Sequence, residues 1–340
     1  MAIQWYPGHM EKARREMLKD LKLIDLIIEI LDARAPFSTS NPEIDKLGAN
    51  KARLLILNKA DMADEKENRY WADYFGSRGK KALIVNSRTG AGIKDIEKTV
   101  SVICREKIER DKSRGIMNRP MRSMVVGIPN SGKSTFINSV MGKTQAKTGN
   151  KPGVTKGKQW IRISKEVELM DTPGLLWPKF EDQSVGLKIA LIGSMPDTIL
   201  NTEELSLELI RVLAERYEGA LAARYGIDES GFAGNEPLAG TDVRDGGDAC
   251  NDRNVCDRGN VRDGGDACDG GDACDGGDVH GSNRNQMAAI GVLTEIAKNR
   301  GCLKKGGEPD TEKAALLLLD DFRSGRLGRM SLESPEEMEK

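Results

Sequence analysis

Short, nearly continuous apolar runs alternate with segments of helical periodicity through the first half of the chain, and helical periodicity alone continues beyond it. Runs at 26–31, 54–57 and 82–85 have strand length and end in polar residues, the pattern of strands buried on both faces of a parallel sheet. A fourth run at 124–126 precedes a glycine-rich loop, and two more strands are expected near 159–163 and 167–170. Helical stretches at 66–78, 93–112 and 135–141 separate them, which predicts an α/β fold: a mostly parallel sheet with helices on both faces. Residues 10–23 read as a basic helix with Ala13, Met17 and Leu21 along one face. After about residue 178 the strand signal fades, and 184–194, 203–224, 286–299 and 311–322 read as helices. The expected organisation is an α/β domain at 1–178 and a smaller all-helical domain at 179–340, interrupted by an insertion at about 230–285.

Composition changes this picture mainly at the insertion. Residues 241–281 carry eleven Asp against four Arg, and Gly-Gly-Asp-Ala-Cys recurs at 246–250, 264–268 and 270–274. So little apolar surface cannot offset the entropy of ordering, and disorder is expected there. The net charge of −1 over 340 residues therefore conceals a moderately basic body, compatible with a nucleic-acid partner. Four of the six cysteines lie in the insertion as Cys-x5-Cys pairs, a spacing foreign to structural zinc sites, and no disulfide framework is suggested. No apolar run approaches the roughly 20 residues needed to cross a bilayer, and the N-terminus lacks a signal peptide's blocks. A cytoplasmic protein without membrane contact, monomeric when free, is expected.

Gly127-Ile128-Pro129-Asn130-Ser131-Gly132-Lys133-Ser134 fits the phosphate-loop pattern between a strand and a helix. Backbone N–H groups around Pro129, Asn130, Ser131, Gly132 and Thr135 and the following helix N-terminus suit phosphate oxygens, Lys133 supplies a cation, and the Ser134 hydroxyl is a ligand for Mg²⁺. Asp171-Thr172-Pro173-Gly174 follows a strand end; there Asp171 would hold Mg²⁺ through water, and the Gly174 N–H would meet the γ-phosphate. Thr155, in a loop between these motifs, is the candidate switch residue that completes the Mg²⁺ shell.

Base choice is written earlier, in Asn58-Lys59-Ala60-Asp61. Guanine offers N1–H and an exocyclic amine side by side, and the Asp61 carboxylate accepts both, a pair that adenine lacks. The Lys59 stem is placed to cover the base, and Asn58 to tie this loop to the phosphate loop. Asn86-Ser87-Arg88, after the strand at 82–85, stands where a second base-contacting loop is needed.

The motifs resemble those of translational GTPases, but with the base motif ahead of the phosphate loop, the circularly permuted arrangement of a P-loop G domain. Together with Trp5-Tyr6-Pro7-Gly8-His9-Met10, Asp32-Ala33-Arg34-Ala35-Pro36, Leu176-Trp177-Pro178-Lys179 and Asp321-Phe322-Arg323-Ser324-Gly325-Arg326-Leu327-Gly328, they make the chain similar to the bacterial ribosome biogenesis GTPase A family, also called YlqF. The resemblance spans nearly everything outside the insertion. It implies a GTPase acting late in large-subunit assembly, binding GTP and GDP and contacting rRNA or ribosomal proteins of the subunit or its precursor, partly through the helical region.

Leu175 occupies the place where Ras-like proteins carry the water-orienting Gln, and a hydrocarbon side chain cannot orient water. His9 is the candidate for that task. The resemblance also places Asn130 where cation-dependent GTPases hold a K⁺ ion. Two readings stand at this point: a slow GTPase stimulated by a ribosomal precursor, or a GTP-gated RNA- or protein-binding scaffold with negligible turnover. Lys304, Lys305, Arg323, Arg326 and Arg329 form a basic C-terminal edge, expected to contact rRNA phosphates.

Overall fold

β1 (Leu26–Asp32) runs through the middle of a six-stranded sheet and is buried at every residue. The structure, a computed structural model, describes residues 5–116, 119–142, 160–164, 166–227 and 279–338, with side chains from residue 286 in the last span. β1 pairs in parallel with β2 (Ala52–Asn58) on one side and β4 (Met121–Val126) on the other. β3 (Lys81–Ile84) continues the sheet beyond β2, and β6 (Val167–Asp171) continues it beyond β4, both in parallel. At the far edge β5 (Trp160–Arg162) runs antiparallel to β6, giving the order β3-β2-β1-β4-β6-β5.

Side chains alternate along each strand, so the sheet serves two cores. Leu26, Ile28, Ile30, Leu54, Ile56, Val125 and Leu169 pack with Ile96 and Val100 of α5 (Asp95–Ile103) and with Phe136 and Ile137 of α7 (Lys133–Met141). On the opposite face Leu31, Leu55 and Leu57 meet Trp71 and Phe75 of α4 (Glu65–Ser77). Ile27, Met124 and Met170, on that same face, join Met10 and Met17 of α1 (Gly8–Asp20). Helices thus cover both faces, as the apolar runs require.

Two helical expectations need correction, and two short helices were not expected. The single helix expected at 93–112 is α5 followed by α6 (Arg105–Ser113), parted at the buried Cys104, where φ −91° and ψ 8° depart from helical backbone. The helix expected at 203–224 is likewise two, α9 (Thr202–Arg216) and α10 (Ala220–Tyr225), parted where Gly219 takes φ 78°. Two short helices, α2 (Pro36–Thr39) and α3 (Pro42–Leu47), carry too few residues to show a period, but each begins at a proline, whose fixed φ suits a first turn.

Beyond β6 the chain forms α8 (Gln183–Leu191), α9, α10, α11 (Val279–Asn299) and α12 (Thr311–Arg323). Leu205, Leu209 and Leu213 of α9 pack with Leu293 and Ile296 of α11 and Leu318 and Phe322 of α12. This helical core is continuous, through Leu176, Trp177 and Phe180, with the core under α1. The segment after α12 returns to the sheet region: the Leu332 N–H donates to the Arg34 carbonyl at 2.7 Å, and the buried Glu333 accepts from Ser38 N–H at 3.1 Å and Ser38 Oγ at 2.6 Å. Among the described residues no helix is long and apolar enough to cross a membrane, and Cys104 and Cys302 are buried free thiols. The repeats and cysteines of 241–281 lie almost wholly outside the described residues.

Candidate nucleotide-binding site

β4 delivers the chain into the loop 127–132, and α7 begins at Lys133 with Gly132 before it at φ 93°. That φ excludes most side chains, and a Cβ on Gly132 would lie 2.3 Å from Asn58 Nδ2. The close approach has a purpose. Asn58 Nδ2 donates to the Ser131 carbonyl at 2.9 Å, while its Oδ1 accepts from Ser87 N–H at 3.2 Å and Ser87 Oγ at 2.7 Å. One buried amide therefore joins the phosphate loop, the base motif and the second base loop, the tie expected of Asn58.

Lys133 is buried and donates from Nζ to the Ile128 carbonyl at 2.8 Å. Burial pushes its ammonium down to about 8, against the opposing pull of Asp171 and with the Lys59 charge adding to the depression. The β4–β6 register sets Asp171 beside Val125, at the strand end next to the loop. Thr172 Oγ1 donates to the Val125 carbonyl at 2.7 Å, and the Leu175 N–H to the Gly127 carbonyl at 3.2 Å. Gly174 sits so close that a Cβ there would lie 2.8 Å from Pro129 Cα and 3.0 Å from Lys133 Nζ. Any larger residue would push the Asp-Thr-Pro-Gly segment off the phosphate loop.

Ser134, in the first turn of α7, and Asp171 supply a hydroxyl and a carboxylate on adjoining elements, the hard oxygen donors that Mg²⁺ takes. Such an ion would neutralise phosphate charge there. Thr155 lies outside the described residues. Asn130 takes φ 58° and donates from Nδ2 to the Gly193 carbonyl at 2.7 Å, so its Oδ1 is the atom with acceptor capacity for a cation. Thr135 is half-buried in α7, His9 is exposed in the first turn of α1, and Leu175 is buried.

On the base side, Asp61 and Arg88 are exposed, and Asn86 Oδ1 accepts from Arg88 N–H at 2.9 Å and Thr89 N–H at 3.2 Å, shaping that loop. Lys59 adopts φ 60° and sends Nζ to Asp32 Oδ2 at 2.8 Å. Asp32 is fully buried and also takes two bonds from Arg34, Nε at 2.9 Å and Nη2 at 2.8 Å. Burial alone would raise the Asp32 carboxyl, but Arg34 and Lys59 outweigh it and hold the group well below the usual carboxylate range. Sequence reasoning gave Asp32 and Arg34 no role. Their signal was a charge at the end of an apolar run, directly beside the strand that carries the base motif.

The arginines of the basic C-terminal edge have partners within the chain, while Arg326 and Arg329 stay exposed. Arg323 donates to the Leu191 and Ala190 carbonyls and pairs with Asp197; Arg326 pairs with Asp320 and Asp321; Arg329 donates to the Ala60 and Ala63 carbonyls and pairs with Glu65. These guanidinium groups meet acceptors within the chain because the end of α12 and the segment after it run past the end of α8, the acids of α12 itself and the loop before α4. Lys304 and Lys305 are exposed.

A phosphate loop at the end of a sheet strand, an adjoining Asp-Thr-Pro-Gly segment and a tied base motif define a P-loop α/β GTPase domain followed by a helical region, and a profile of the 50S ribosome-binding GTPase family matches residues 122–218. The chain is 40% identical over 337 residues to Ribosome biogenesis GTPase A of Bacillus cereus, covering 99% of this chain and 95% of that protein. With Ribosome biogenesis GTPase A of Thermotoga maritima it shares 30% identity over 336 residues, 99% of this chain and 96% of the other. Among solved structures, GDP-bound T. maritima YlqF superposes with a TM-score of 0.58 at 25% identity, over 95% of this chain and 100% of that one. GNP-bound YlqF from T. maritima gives 0.57 at 26%, over 96% and 99%. The chain belongs to the ribosome biogenesis GTPase A family and is a GTP hydrolase.

Proposed function

We propose that this GTPase acts in late assembly of the large ribosomal subunit, its nucleotide state gating binding to rRNA or to a ribosomal precursor, and that its G domain is circularly permuted. The observation that supports the reading is the Asn58 hydrogen bond to Ser131, which draws the segment 58–61 against the loop 127–134 although it comes first in the chain. GTP would lie with its phosphates on the loop and α7, and with guanine against Asp61, Lys59 and the 86–88 loop. Ser134, Asp171 and Thr155 would hold Mg²⁺, Asn130 a K⁺ ion, and His9 would orient the attacking water. Functionally the chain divides near residue 178, with the site before it and a ribosome-facing helical part after it. The exposed Lys304 and Lys305, with the exposed Arg326 and Arg329, are the part of the basic edge that would meet phosphates. Gating has a direct route, since Asn130 in the phosphate loop bonds Gly193 just past α8.

The experiment is binding of large subunits and their precursors with GTP, GDP and a non-hydrolysable analogue, over a range of salt, alongside single-turnover hydrolysis with and without the particles. Tighter binding in the GTP form and stimulated hydrolysis are expected. Equal binding in both nucleotide states would refute the gate.

A further inference from the structure

The segment that follows α12 reaches the base motif. Arg329 donates from Nε to the Ala63 carbonyl at 2.9 Å and from Nη2 to the Ala60 carbonyl at 3.2 Å. The next residue, Met330, donates its N–H to the Met62 carbonyl at 2.8 Å. Two consecutive residues from the far end of the chain thus take the carbonyls of Ala60, Met62 and Ala63, which flank Asp61 on both sides. One residue further, Ser331 Oγ accepts from the Asp64 N–H at 3.2 Å.

This segment is anchored independently of the loop. Met330, Ser331, Leu332 and Glu333 are buried, the Ser331 N–H donates to Tyr217 Oη at 2.7 Å, and Trp71 Nε1 donates to the Glu333 carbonyl at 3.3 Å. The loop it grips is exposed at Asp61 and carries Lys59 at φ 60°; Asn68 Nδ2 also donates to the Ala60 carbonyl at 3.1 Å, whereas the Met62 and Ala63 carbonyls take their donors from the C-terminal segment. Each peptide unit is planar, so holding the Ala60 carbonyl fixes the plane that enters Asp61, and holding the Met62 and Ala63 carbonyls fixes the chain just beyond it, which together limit how the Asp61 side chain can swing. A carboxylate that accepts two neighbouring N–H groups of one base is sensitive to that aim, because hydrogen bonds weaken steeply with angle.

We propose that Arg329 and Met330 are positioning residues of the guanine-reading loop, holding Asp61 from the C-terminal segment, so that discrimination for guanine is assembled from both ends of the chain. This rests on the reading of Asp61 as the base-binding carboxylate.

The test compares affinities of the full chain for GDP and for inosine diphosphate, which lacks the exocyclic amine, with melting temperatures recorded for every variant. Arg329→Ala should cut the preference for GDP about tenfold, the scale of a lost charge-assisted hydrogen bond. Arg329→Lys should restore part of it, because an ammonium can still donate to one carbonyl. Glu65→Gln, which removes the exposed ion pair of Arg329 and leaves its carbonyl bonds, should keep the wild-type preference. Asp61→Asn should abolish the preference and reports on the base reading itself. If Asp61→Asn abolishes it while Arg329→Ala keeps it, the positioning role is overturned and the base reading stands. If Asp61→Asn keeps the preference, the base reading falls and the proposal falls with it. Should Arg329→Ala fail to fold, a fully wild-type ratio in Arg329→Lys overturns the proposal.

Discussion

Asn58 Nδ2 and the Ser131 carbonyl lie 2.9 Å apart, although 73 positions separate the two residues in the chain. The other end of the same amide accepts two bonds from Ser87, so its removal leaves polar groups unpaired in a buried place. Asn58→Ala should cost about 1–3 kcal/mol of stability and weaken both GTP and GDP, because the phosphate loop and the base loops would no longer share a brace. Urea unfolding and nucleotide titration check this. Wild-type affinity in the variant would show that the brace is dispensable.

Lys133 titrates in an accessible range. Its folded value of about 8 in the unliganded protein lies below that of an ordinary lysine, so it loses its proton as pH rises through about 8. Bound phosphates favour the charged form, and GDP affinity should therefore be level below that point and fall about tenfold between pH 7 and pH 9. The native state binds fewer protons than the unfolded chain between about 8 and 10.4, so this group makes the unliganded protein more stable as pH rises across that window. Titration calorimetry at several pH values reads the first effect. A flat affinity across the range would contradict the depressed value, and Lys133→Ala should abolish tight binding at every pH.

His9→Ala should leave GTP affinity nearly intact and lower particle-stimulated hydrolysis by on the order of 10²-fold, as expected when a group acting in the transition state is lost. Unchanged stimulated turnover would assign His9 a structural task at the start of α1. In the same assay, exchanging K⁺ for Na⁺ should slow hydrolysis if Asn130 holds a cation, and equal rates would argue against it.

Asp321 is buried between α10 and the end of α12, where its carboxylate accepts from Arg224 Nε at 2.9 Å and Tyr225 Oη at 3.0 Å and pairs with Arg326. Burial favours the neutral form, but the bonds from Arg224, Arg326 and Tyr225 outweigh it and hold the carboxyl below its ordinary value. The stability it contributes is therefore present above an unfolded pKa of about 3.9 and is lost as pH falls through the lower folded value. Asp321→Ala, leaving the buried Tyr225 hydroxyl without its acceptor while Arg224 and Arg326 keep access to water, should cost about 1–3 kcal/mol at neutral pH. Urea unfolding at pH 7 and below pH 3 should show the difference between variant and wild type shrinking in acid. An undiminished difference would mean that the charge is not what matters there.

Local patterns determined a good deal by themselves. Apolar runs of strand length announced β1, β2, β3, β4 and β6, although β3 lies at the sheet's edge and is not buried as its run suggested, and the phosphate loop was legible because glycines and a lysine must stand at set offsets before a helix. Asn58, Lys59 and Asp61 were legible for the same local reason. Only the tertiary structure decided where the charged side chains at the chain's ends and strand tips would point. Arg329 looked free for a phosphate surface, yet it bonds Ala60 and Ala63, more than 260 positions away. Asp32 looked like a strand end, yet it carries the buried pair of Arg34 and Lys59. A long cationic side chain reaches whatever acceptor the fold brings within a few ångströms, and carbonyls from distant segments leave no mark beside it in the sequence.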